Sequence, residues 1–227
     1  MRPTRLSAKL ALPALAALAL AGCGLTDAEI EPRVAVSVDG RSISLAEVDE
    51  VARDLCEVVQ SSDRQQLGVV PGGDVRVAAQ QGLALRLVGE ELLDYYDLAL
   101  PDDLDVGEQT VRLTFGDADP EVLDRVLPAF TGAQYFNAVL SELGRDAVGP
   151  EAGGEAALVA GIERAQEWQE QADIETNPVL PTFEIGDEDI ISLRDDLTVP
   201  VSDDARAALS TQEGYAEGLP AAQRCEP

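Results

Sequence analysis

The chain has 227 residues, with 16 Lys or Arg against 43 Asp or Glu, a formal charge of −27 and no His at all. Without imidazole there is no Ser-His or Cys-His nucleophile pair, no histidine general base and no His-ligated zinc site. The acidic excess repels nucleic acid and anionic lipid headgroups, and the length suits one domain with an irregular extension.

The N-terminus reads in three parts: a basic stretch from Met1 to Lys9, an apolar run from Leu10 to Ala21, then Leu20-Ala21-Gly22-Cys23. The apolar run is short of the roughly 20 residues that a helix needs to cross a bilayer. A cationic start, a short apolar run and small residues before a cleavage point describe a secretory signal over residues 1–22. Leu-Ala-Gly-Cys resembles the lipobox of bacterial lipoprotein precursors. That resemblance implies acylation of the Cys23 thiol, with cleavage in front of it, and a cell-membrane location on the extracytoplasmic face. Losing Arg2, Arg5 and Lys9 would take the charge from −27 to −30 and remove the only Lys. No Schiff base, Ser-Lys dyad or P-loop lysine would then remain. Residues 23–33 form a polar tether reaching at most about 35 Å.

With Cys23 acylated, Cys56 and Cys225 are an even pair in an oxidising compartment, which favours a disulfide between them. The alternative is a buried free thiol, because Cys56 falls on the apolar side of its expected helix. A bond would fold the C-terminal tail back onto the first helix.

Val34 to Val38 reads as a strand, Asp39-Gly40 as a two-residue hairpin turn and Arg41 to Ile43 as the returning strand. Ser44-Leu-Ala-Glu47 is a capping box opening a helix whose apolar stripe is Leu45, Val48, Ala52, Leu55, Cys56 and Val59. Pro71-Gly72-Gly73 ends a break. Asp74 then caps the longest helix, to about Asp97, with Val77, Ala84, Leu85, Val88, Leu92 and Tyr95 on its apolar side. A short helix follows near Leu104 to Phe115, and Asp119-Pro120 starts another as N-cap and N1. Thr131 opens a helix with Ala133, Phe136, Val139, Leu140, Leu143 and Ala147 inward. After Gly149-Pro150, a last helix to about Gln171 turns Leu158, Ile162, Ala165 and Trp168 inward. Trp168, Tyr95 and Tyr96 all read as core side chains. From Ala172 the character changes to an extended acidic arm, with Ile174 to Thr176 and Leu197 to Val201 as short extended pieces.

Acidic clusters raise the question of metal. Asp103-Leu-Asp105-Val-Gly107 begins like a calcium loop but lacks the third ligand and the closing Glu. Asp117-Ala-Asp119-Pro-Glu121 has Val122 where the sharp-turn Gly belongs. Both read as helix caps, and Asp187-Glu188-Asp189 and Asp195-Asp196 as solvated charge. Carboxylate pairs can hydrolyse glycosides, but aromatics are only 4% of residues, which leaves few platforms for sugar. No metal, cofactor, small-molecule substrate or enzymatic activity is expected.

The order of elements then carries a resemblance. Val34-Ala-Val-Ser-Val-Asp-Gly-Arg-Ser-Ile-Ser-Leu-Ala-Glu-Val48 is similar to the opening of the SurA-type N-terminal domain, and Leu93 to Leu104 resembles that domain's helix end. The resemblance covers about residues 34–172 and implies a mainly α fold with a short N-terminal β-hairpin, followed by the acidic arm at 173–227. The family comprises extracytoplasmic chaperones and peptidyl-prolyl isomerases such as SurA and the PrsA foldase lipoproteins. Its isomerases carry an inserted parvulin domain with active-site histidines, and this chain has neither. The resemblance therefore implies a membrane-anchored module that binds unfolded or exported polypeptides without isomerase activity. The alternative is a dedicated scaffold for one exported complex. A two-lobed solute-binding lipoprotein is disfavoured, because alternating βα units are missing.

Overall fold

The alternating Val residues at 34, 36 and 38 and the Asp39-Gly40 turn build an antiparallel hairpin of β1 (Val34–Val38) and β2 (Arg41–Ser44). Both turn residues have positive φ, 48° at Asp39 and 87° at Gly40, as a two-residue turn matching the strand twist requires. The computed structural model describes residues 33–61, 68–186, 192–194 and 215–225. The signal segment, Cys23, nearly all of the tether, Leu197 to Val201 and the acidic clusters at 187–189 and 195–196 lie outside the described residues.

Five helices follow: α1 (Leu45–Ser61), α2 (Gly72–Tyr96), α3 (Glu108–Thr114), α4 (Pro120–Val148) and α5 (Gly154–Gln169). The fold is mainly helical with a short N-terminal strand hairpin. Ser44 starts α1 as expected, its hydroxyl accepting the Glu47 amide at 3.1 Å. Likewise, Asp119 Oδ1 caps α4, accepting from Glu121 N at 2.8 Å and Val122 N at 3.2 Å.

Several expected faces are corrected by packing. The buried side of α1 carries Val48, Val51, Leu55 and Val58, spaced 3-4-3, while Ala52 and Cys56 are only partly buried and Val59 is half-buried. Asp54 also lies on the buried side, 8% exposed, because Arg125 of α4 reaches it with Nε at 2.7 Å from Oδ2. That hydrogen bond raises the Arg125 pKa against the opposing cost of desolvation. Helix α2 buries residues all round rather than on one stripe, with Leu83, Leu87 and Leu93 inside as well as Leu85, Val88 and Leu92. It is sandwiched between α1 and α4 and touches the sheet. Its start is Gly72, with Pro71 as N-cap and no side-chain cap, so Asp74 lies within the first turn.

The largest correction concerns α4. Thr131 does not open a helix; it is buried inside one of 29 residues that contains Pro128. Proline removes one ladder hydrogen bond, and here the carbonyl it would have served belongs to exposed Asp124, which water can satisfy. Thr131 Oγ1 donates to the Leu127 carbonyl at 2.7 Å, sharing the acceptor of its own helical amide, so the buried hydroxyl is satisfied within the helix. Ala133 and Ala147 face solvent. Helices α2 and α4 meet where Gly82 lies against Ala129 and Gly132, and α4 and α5 meet at Gly144 and Gly161. Helix α3 is shorter than expected, beginning at Glu108 rather than near Leu104.

The stretch after Ala172 opens with the expected short strand. Strand β4 (Ile174–Thr176) pairs antiparallel with β1, placing β1 in the middle of a β2-β1-β4 sheet. An isolated hairpin is marginal in water, and a third strand covers its open edge. Asn177 fastens the end of β4. Its Nδ2 donates to Val34 O at 2.9 Å, its Oδ1 accepts from Val179 N at 3.2 Å, and its amide donates to Ala35 O at 2.9 Å. Asn177 is 7% exposed, so Asn177→Ala orphans buried backbone groups and should cost about 2 kcal/mol. Urea unfolding checks this; a loss below about 0.5 kcal/mol would show that water replaces the side chain freely. Beyond it, Leu180 and Ile185 are buried, and Ile185 N donates to Gln169 Oε1 of α5 at 3.0 Å. Strands β5 (Thr182–Glu184) and β6 (Ser192–Arg194) form an antiparallel pair.

Candidate binding cleft

Residues Asp49, Ala52, Arg53 and Cys56 are spaced 3-1-3 along α1, one helical stripe beside the core-facing one. In the fold this second stripe lines an open cleft of about 800 Å³. The first turn of α2 supplies another side, through Gly72, Gly73, Asp74, Val75 and Arg76, preceded by Pro71. The third side is the C-terminal segment: α6 (Tyr215–Gly218), a 3-10 turn (Ala221–Gln223) and β7 (Arg224–Cys225). Tyr215, Leu219, Ala222, Gln223 and Arg224 face the cleft from it.

Local chemistry explains the seating. Strand β3 (Val70–Pro71) pairs antiparallel with β7, with Val70 opposite Cys225 and Pro71 opposite Arg224. Gly72 comes next, and a Cβ there would stand 3.2 Å from the Gln223 carbonyl oxygen, so a small residue lets the segment lie against the helix start. Asp49 accepts from Arg76 Nε at 2.6 Å, linking α1 to α2 at the cleft edge. Both side chains are well exposed, so the pair positions more than it stabilises. Arg53 makes no ion pair among the described residues. Asp74, in the first turn of α2, is favourably placed for the helix dipole.

Cys56 and Cys225 join α1 to β7, with Sγ atoms 2.04 Å apart and Cα atoms 5.5 Å apart across a sequence separation of 169. In the chain-entropy account a loop of that size is worth at most about 5 kcal/mol. Gln60, one turn beyond Cys56, donates from Nε2 to Cys56 Sγ at 3.3 Å and to Cys225 Sγ at 3.9 Å.

The other singled-out residues go elsewhere. Trp168 is in the core, 1% exposed. Tyr95 is not a core side chain; it is 54% exposed near the end of α2. Tyr96 is half-buried, its hydroxyl donating to Arg164 O at 3.0 Å while the Arg164 guanidinium lies 4.0 Å from its ring centre. Asp105 Oδ1 accepts from Gly107 N at 2.9 Å, acting as a turn acceptor ahead of α3. Among the described residues no cluster of three or more His, Cys, Asp or Glu is placed to hold a metal ion, and no helix is long and apolar enough to cross a membrane. Asp49, Arg53, Arg76, Tyr215, Leu219 and Arg224 had no marker in sequence. The one available signal was the polar-and-small stripe of α1, which the stronger apolar stripe masks.

No family model matches the chain, and no curated protein or solved structure matches it.

Proposed function

We propose that the chain is a lipid-anchored extracytoplasmic protein that holds segments of unfolded or exported polypeptides, without isomerase or other catalytic activity. The open cleft between α1, the start of α2 and residues 215–225 carries this reading. Ala52, Val75, Leu219 and Tyr215 offer apolar contact to client side chains, and the charged rim of Asp49, Arg53, Asp74 and Arg76 stays hydrated. Such a mixture suits varied peptide segments better than one rigid ligand, which needs a few convergent polar groups in an enclosed site. The signal and lipobox at the N-terminus and the SurA-like strand-turn-strand-helix opening support the same reading. The charge of −27 keeps a loaded complex soluble and favours basic clients, over a range that salt limits to about 8 Å.

The test is aggregation of a denatured, cysteine-free client in the presence of the acylated chain in detergent micelles. Equimolar protein should slow light scattering severalfold. Ala52→Trp, which fills the cleft from α1, should abolish the effect and leave the far-ultraviolet dichroism unchanged. Unaltered aggregation with wild type, together with no binding of labelled peptide, would dispose of the proposal.

A second reading rests on α3, which buries no residue, and on Leu113 and Leu104, exposed by 79% and 42%. Surplus apolar surface of this kind suits one docked protein partner. Crosslinking in cells separates the two, since a scaffold yields one dominant product and a client binder yields many.

A further inference from the structure

The bond between Cys56 and Cys225 is unevenly presented. Cys56 lines the cleft, whereas Cys225 is 3% exposed and paired in β7. The segment it secures, residues 215–225, forms one whole side of the cleft. Its non-covalent seat is short. The β3–β7 ladder spans two residue pairs, and within the segment only Ala216 and Cys225 are buried. Arg224 Nη1 donates to the Glu217 carbonyl at 3.0 Å, within the segment. Helices α1, α2, α4 and α5, by contrast, share a continuous apolar core. Gln60 adds a chemical element, because its amide nitrogen donates to both sulfurs.

We propose that this disulfide is a thiol-operated latch on the cleft: a dithiol reductant attacks Cys56 from the cleft, frees residues 215–225 and so removes one of its walls. The reductant's thiolate forms a bond to Cys56 Sγ while the Sγ–Sγ bond breaks, and the electron pair leaves on Cys225 Sγ, which then takes a proton. The second thiol of the reductant displaces Cys56, which is protonated in turn, and the reductant departs as a disulfide. Two electrons and two protons pass to the two cysteines. The Gln60 amide, 3.3 Å from Cys56 Sγ and 3.9 Å from Cys225 Sγ, is near enough to turn to the Cys225 thiolate as the Sγ–Sγ bond breaks, and hydrogen bonding to the charged form favours it. With the bond cut, the two-pair ladder and the packing of the segment on the start of α2 are what, among the described residues, oppose the backbone entropy gained on release. The consequence for clients rests on the cleft being the binding site; the latch chemistry does not.

The experiment uses the acylated full chain in detergent micelles. Brief exposure to glutathione, acid quench and alkylation should place the mixed disulfide on Cys56 and the alkyl label on Cys225. After complete reduction with dithiothreitol, amide hydrogen exchange over residues 215–225 should quicken by at least about tenfold, with α4 and α5 nearly unchanged, as local opening requires. Cys225→Ser should show the same exchange pattern without reductant. Gln60→Ala should slow the attack about threefold or more, through the poorer leaving group. Glutathione found on Cys225 would overturn the proposal. So would unchanged exchange in the segment, or exchange that rises across all helices and marks the bond as a global staple. None of these readouts uses a client, so failure of the aggregation assay and failure of the latch are told apart.

Discussion

Gly144→Ala should destabilise the chain by about 3–4 kcal/mol, the net of overpacking and a helix-propensity gain of about 1 kcal/mol. Helices α4 and α5 run past each other with Gly144 against Ala157 and Leu140 against Gly161. A Cβ on Gly144 would fall on the Ala157 carbonyl, and one on Gly161 would fall on the Leu140 carbonyl. The obstructing atoms are backbone, so no rotamer change relieves the overlap and the helices must separate. Separation would open gaps around neighbouring buried side chains such as Leu140, Leu143 and Ala165, and those gaps forfeit dispersion contacts as well. Against a typical stability of about 5–15 kcal/mol this is a large loss, and the midpoint of thermal unfolding should fall by about 10 °C. Gly154→Ala is the control. Nothing lies within 4 Å of its Cβ position at the start of α5, so it should be neutral or slightly stabilising. If Gly144→Ala lost less than about 1 kcal/mol, the close crossing would not be a structural requirement.

Trp168→Ala should cost about 3–5 kcal/mol, and Trp168→Phe about half as much, because the removed volume scales the cavity left behind. Trp168 is 1% exposed and stands in the last turn of α5, one residue before its end. The same turn holds Gln166 and Gln169, whose side-chain amides bond the Ile185 backbone at 3.4 and 3.0 Å. A collapsing cavity should therefore loosen the docked stretch around Leu180 and Ile185 as well as the helix. It is also the only Trp in the chain, so wild-type emission should be blue-shifted when folded and move red on unfolding. Urea titrations of the three proteins, followed by far-ultraviolet dichroism, give the free energies. A Trp168→Ala loss below about 1.5 kcal/mol would mean that the surroundings close fully over the site.

Much of the local chemistry was legible. The Asp39-Gly40 turn, the Ser44 and Asp119 caps and the Gly149 stop each act within four residues, and each appears where the residue pattern puts it. Patterns that depend on a distant partner were misread. Thr131-Gly132 after Pro128 resembles a stop and restart, yet α4 runs through, since Gly132 is pressed against Gly82 of α2 and Thr131 bonds its own helix. Asp54 lies outside the apolar stripe read for α1; only Arg125, 71 residues later, makes its burial tolerable. Ile174 to Thr176 was legible as a short strand, but its pairing with β1 depends on what Asn177 reaches across the chain. The cleft was not legible at all, since its sides come from three separated stretches.

By itself the sequence determined the helical class, the hairpin start, several of the caps and the absence of imidazole chemistry, because these follow from residue types and short-range backbone geometry. Tertiary structure alone decided which face of α1 is core and which is cleft, how far α4 extends, and how the C-terminal segment seats against α1 and α2 around the Cys56–Cys225 bond that cysteine parity favours. Those outcomes are set by contacts between residues tens to more than a hundred positions apart, whose free energy no local window contains.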